Sequence, residues 1–141
     1  MGVVEPSVDH LDLESVVAVA RRGMRVTMGE EARGRLRESR RHVERIIDGD
    51  RPVYGVTTGF GALATTRIPR EERLELQRSL LRSHAAGMGP FVEAEVVRAM
   101  MAIRAKTLAA GYSGVSPELV DALVSALNAG LIPAVPEHGS M

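Results

Sequence analysis

No cysteine occurs anywhere in the chain. That excludes disulfides, thiolate nucleophiles and zinc–thiolate sites together. Tryptophan is also missing and aromatics make up only 3% of residues, so any core must be built from Leu, Val, Ala and Met. Cations and anions balance at 18 each, with Lys106 the only lysine. A chain without net charge offers no basic footprint for nucleic acid or for an anionic membrane surface. Uninterrupted apolar runs long enough to span a bilayer are lacking. The first residues, MGVVEPSVDH, show no basic segment followed by an apolar one, and Pro6 breaks the myristoylation pattern. A cytoplasmic, soluble protein of one domain is the expectation at 141 residues.

What is present is mostly helical in pattern. Asp12 to Arg22 reads as a short helix with Gly23 as its stop. A second helix is expected over about 28–48, opened by a Thr27/Glu30 capping box and carrying Ala32, Leu36, Val43, Ile46 and Ile47 at helical spacing. Further helices are expected at about 70–84, after Pro69, with Leu74, Gln77, Leu81 and His84 on one face, at about 91–110, and at 117–129 with a Leu119/Leu123/Leu127 stripe. Between the second and third lies RPVYGVTTGFGALATT, Arg51 to Thr66, a loop rich in glycine and threonine, with Val53–Val56 as a candidate short strand. Ala85–Pro90 reads as a break, and the tail LIPAVPEHGSM as irregular. Several stripes are wider than neighbours within the chain would cover, which points to burial by more chain or by other subunits.

Local motifs settle little. Gly59–Ala64 matches a relaxed G-x-G-x-x-A, but Thr65, Thr66 and Pro69 intervene before any helix, which argues against dinucleotide binding. Without G-K-[ST] there is no P-loop. His10, His42, His84 and His138 share no metal-ligand spacing. His42 sits among Arg and Glu and is expected on the surface. His84 ends an apolar helix face before two alanines and a glycine, and reads either as a hydrogen-bonded core or capping residue or as a ligand contact. Tyr54 reads either as a strand residue at the core edge or as a functional phenol.

Three blocks taken together are far more specific. YGVTTGFG (Tyr54–Gly61), LQRSLLRSHAAGMG (Leu76–Gly89) and the tail VPEHGSM from Val135 resemble the aromatic amino acid ammonia-lyases, in that family's order and spacing. The resemblance runs over nearly the whole chain, weakest before about Leu13. It implies a mainly α protein, the N-terminal part of the helical ammonia-lyase (fumarase/aspartase-like) fold with little strand, belonging to a single longer subunit whose active-site loop is 53–66. It also implies an electrophile, 4-methylidene-imidazol-5-one, formed autocatalytically from an Ala-Ser-Gly expected just beyond Met141. The chain itself contains no such triad, and Tyr112-Ser113-Gly114 is in the wrong context. Tyr54 carries over as the base that removes the β-proton of the substrate. A phenol is a poor base in neutral water, so its surroundings would have to favour the phenolate. Gly61 would border the substrate, and His84 would select its side chain. The expected activity is elimination of ammonia from L-histidine to give trans-urocanate by a homotetramer with shared active sites. The alternatives are a tyrosine ammonia-lyase or tyrosine 2,3-aminomutase, and a non-catalytic helical assembly subunit. No metal is implied, and the partner is a small amino acid.

Overall fold

A computed structural model describes residues 6–139. In chain order the elements are α1 (Leu13–Arg22), α2 (Glu30–Asp48), α3 (Arg73–His84), β1 (Met88–Phe91), α4 (Ala94–Ala109), α5 (Pro117–Asn128) and β2 (Pro136–His138), with single 3-10 turns at Val8–His10, Gly61–Leu63 and Arg70–Glu72. The mainly helical class expected from sequence is what is found. The chain divides into two compact units, one of residues up to 40 with 91–135, the other of 41–90 with the tail from 136.

The first unit holds the core. Its centre is α4, whose Ala102, Ala105 and Ala109 are fully buried, with Val97, Met101 and Leu108 beside them. Such small side chains let α1 and α5 approach closely, and α4 contacts both. Val19 of α1 and Val120 and Leu127 of α5 are fully buried against it; each contributes about 1.5–3 kcal/mol on burial. The buried face of α5 therefore runs through Val120, Val124 and Leu127. Of the expected stripe Leu127 is buried and Leu123 packs against the core, whereas Leu119 is 51% exposed.

Polar side chains fasten this core. The Asn128 amide acts as a surrogate strand edge: its Oδ1 accepts from the Val26 N–H at 2.9 Å and its Nδ2 donates to the Val26 carbonyl at 2.8 Å. Arg33 forms a two-pronged ion pair with Asp121, one arm at 2.7 Å. The Lys106 ammonium donates to the Leu11 carbonyl at 2.6 Å. The lone lysine is thus structural.

Local signals are obeyed at α1. Asp12 caps it by accepting from the Ser15 amide at 2.8 Å, and Gly23 ends it at φ 66°. They fail at α2. The helix begins only at Glu30, and the Gly29 carbonyl takes its first bond, from the Arg33 amide at 3.2 Å, so Thr27 lies two residues before the cap position and bridges Ser7 instead. Likewise α4 starts at Ala94, because 88–91 form β1.

In the second unit the C-terminal part of α2 leads into the loop, and α3 carries the chain on to β1. Val53–Val56 is not a strand. It is a tight turn, because the Val53 carbonyl accepts from the amides of Val56, Thr57 and Thr58 at 3.0, 2.9 and 3.3 Å. The tail, expected to be irregular, pairs instead: β2 lies beside β1 in a two-stranded sheet. Strands of three and four residues are too short to leave a periodic trace.

Candidate active site

The loop after α2 closes on itself. The Ile68 amide donates to the Thr57 carbonyl at 2.9 Å, the Gly59 amide to the Thr66 carbonyl at 3.2 Å, and Thr58 and Arg67 form an antiparallel bridge. Side-chain hydroxyls complete the closure. Thr57 Oγ1 accepts from the Val53 N–H at 2.8 Å and donates to the Arg51 carbonyl at 3.2 Å. Thr58 Oγ1 accepts from the Gly55 N–H at 3.3 Å and donates to the Gly59 carbonyl at 3.1 Å. Both threonines are buried, Thr57 completely. Buried hydroxyls are tolerable because each is used as donor and as acceptor.

Tyr54 stands between the two residues so pinned. Its ring is 63% exposed and meets Phe60 edge to face, with centroids 5.7 Å apart and planes at 80°. An offset edge contact of this kind fixes the ring while leaving the hydroxyl end free. Gly59 allows the return of the chain, since a Cβ there would lie 2.6 Å from Leu63 Cβ. Gly61 faces open space at φ 55°, so backbone conformation and not crowding requires glycine at that position.

His84 is the last residue of α3 and, within this chain, is exposed. Its Nδ1 lies 2.9 Å from the Leu80 carbonyl and 3.0 Å from Ser83 Oγ. A carbonyl can only accept, so Nδ1 carries the proton, and in the neutral ring Nε2 is then an acceptor. Such an edge can take a proton from an N–H or O–H donor.

Beyond His84 the chain turns into β1, and the tail comes to meet it. Gly139 adopts φ 100°, and a Cβ built on it would lie 2.3 Å from the Ala86 carbonyl oxygen. The tail backbone therefore passes directly against the residues that follow the histidine. His42 is exposed, as expected, with Nδ1 at 3.4 Å from an Arg45 guanidinium nitrogen. Among the described residues no group of three or more His, Asp or Glu could hold a metal ion. Nor, among them, is any helix long and apolar enough to cross a membrane.

The model of the aromatic amino acid lyase family matches residues 11–141. The chain belongs to that family. It is 52% identical to histidine ammonia-lyase of Streptomyces griseus over 128 residues, 91% of this chain and 25% of the relative. It is 52% identical to histidine ammonia-lyase of Streptomyces avermitilis over all of its length, 28% of the relative. Among solved structures, the tyrosine aminomutase of Streptomyces globisporus superposes with a TM-score of 0.90 at 40% identity, over 97% of this chain and 26% of that one. The chain thus spans about a quarter of the length of the relatives it matches.

Within this aromatic lyase segment, the site residues named from sequence all fall in the second unit, Tyr54 and Gly61 in one closed loop and His84 at a helix end. The loop threonines could be expected to satisfy backbone groups of the loop, but not which ones, and sequence reasoning missed Phe60 as the ring that Tyr54 meets and Gly139 as a contact of Ala86. Two hydroxyls in an uncharged loop are the one visible signal for the threonines. Nothing local marks the meeting of residues 86 and 139.

Proposed function

We propose that this chain is the N-terminal part of a cytoplasmic, homotetrameric enzyme that eliminates ammonia from L-histidine to give trans-urocanate. The observation that carries the reading is Tyr54, an outward-facing phenol at the head of a loop pinned on both sides of it. The name shared by the relatives at 52% identity supports histidine as the substrate.

The family's group, 4-methylidene-imidazol-5-one, would supply the electrophile that makes the substrate amine a leaving group. The residues present fit a position for it just past the tail: Gly139, which only glycine can fill, brings the end of the described chain against Ala86, two residues from His84. Tyr54 takes the β-proton at its Oη, and placement counts for more than basic strength, since effective molarity comes from holding the oxygen in line with the C–H bond. His84 Nε2 accepts a hydrogen bond from the imidazole N–H of the substrate, its direction set by the Leu80 carbonyl on the other ring nitrogen. Gly61, without a side chain, lets the substrate approach the loop backbone.

Replacing Tyr54 by Phe in the full-length enzyme is expected to lower kcat by about 100-fold or more and to leave the affinity for a non-reacting histidine analogue within about twofold. Turnover close to that of the unaltered enzyme would overturn the base assignment. A tyrosine 2,3-aminomutase is the second reading, favoured by the 40% identical structural neighbour and by the ability of an acceptor Nε2 to take a phenol O–H as well as an imidazole N–H. Comparing kcat/KM for L-histidine and L-tyrosine, with product identification, separates the two.

A further inference from the structure

We propose that Thr57 is a positioning residue for the Tyr54 phenol, acting through the backbone on both sides of Val53. The proposal rests on the reading of Tyr54 as the base. Thr57 is fully buried, and its hydroxyl bonds to backbone groups and not to the phenol. All three of its polar groups are spent on the loop, in four hydrogen bonds: the hydroxyl takes the Val53 N–H and gives to the Arg51 carbonyl, the amide gives to the Val53 carbonyl at 2.9 Å, and its carbonyl takes the Ile68 N–H at 2.9 Å. Both backbone groups of the residue before Tyr54 are therefore held by one side chain and its own amide. Val53 is fixed at N–H and C=O, so the peptide plane that leads into Tyr54 is fixed with it.

Valine has nearly the shape of threonine but no hydroxyl. Thr57→Val would keep the packing, abandon the Val53 N–H, and free the turn to rotate the phenol away from the proton it must take. Small misplacements of a reacting group are costly even when binding is intact. Losing one such pin is expected to lower kcat about tenfold, the effect of roughly 1.4 kcal/mol, with KM and analogue affinity unchanged. Thr57→Ser keeps both hydrogen bonds and is expected to restore kcat to within about twofold.

The deciding experiment is a double-mutant cycle in the full-length enzyme with Tyr54→Phe. A residue that acts only through the phenol has nothing left to position once the phenol is gone, so Thr57→Val should cost nothing further in the Tyr54→Phe background. Equal losses in both backgrounds would overturn the proposal, as would a kcat for Thr57→Val equal to that of the unaltered enzyme, or a Thr57→Ser variant as slow as Thr57→Val. The same cycle separates the two readings. Normal turnover in Tyr54→Phe alone refutes the base assignment, whereas a slow Tyr54→Phe with an unaffected Thr57→Val refutes only the positioning role.

Discussion

At the end of α3 one hydrogen bond decides which edge of His84 faces the outside. With Nδ1 held by the Leu80 carbonyl, the ring presents an acceptor, and a substrate side chain without a donor cannot satisfy it. Replacing His84 by Phe removes that acceptor and adds an apolar wall. The ratio of kcat/KM for phenylalanine over histidine is expected to rise by about 10- to 100-fold, the range of one buried hydrogen-bond mismatch; an unchanged ratio would show that the ring has only a structural role. Local pattern left both readings of Tyr54 and His84 open, and only the resemblance of the three blocks singled these positions out. Their orientation was not legible. It depends on Leu80 one turn back and on a threonine three residues ahead, and no composition rule says which carbonyl or amide a hydroxyl will choose.

The helices follow their local punctuation at α1 but not at α2. Asp12 and Gly23 bound α1 as read from the sequence, whereas Thr27 pairs with Ser7 and α2 starts from Gly29 instead. That pairing is between residues 20 apart in the chain and cannot be seen in a local window. The first turns have a common chemistry nonetheless. The side chain and then the amide of Ser15 hold the Asp12 carboxyl below its ordinary value, hydrogen bonding by Arg37 does the same for Glu30, and Glu118 is lowered by its own amide and by Ser116. Depressed carboxyls bind protons in the unfolded chain before they do so in the folded one. Their stabilising contribution is complete above the ordinary carboxylate range and is lost as pH falls through the lowered folded values. The thermal midpoint of the intact protein is expected to hold from about pH 7 to 5 and decline below about pH 4, with Glu118→Gln showing a shallower decline. A midpoint that rises on acidification would contradict this. Glu30 and Arg37 are exposed, so added salt should weaken their share through screening.

Taken whole, the molecule leaves much apolar surface uncovered. Leu74 and Leu81 of α3 are 62% and 71% exposed, and α4 borders an apolar groove of about 510 Å³ with Met100, Ile103 and Leu123 on its walls. Surfaces of this type normally meet other protein. Expressed alone, the 141-residue chain is expected to form no urocanate and to self-associate, whereas the full-length polypeptide is active; a monodisperse monomer in light scattering would argue against the covered-face reading. The wide stripes were visible in the sequence, but what covers them could not be, since burial is a property of the neighbours and not of the helix. The tail has a different consequence, in time. Residues 92–135 separate β1 from its only strand partner among the described residues, and they form most of the other unit. On the ribosome, β1 must therefore wait unpaired until both α4 and α5 have been made. If those helices pack first, they shorten the effective loop to be closed and lower its entropic cost. The contact of Gly139 with Ala86 then follows the packing of α4 and α5, so the segment beside His84 is completed only after the helical unit has matured.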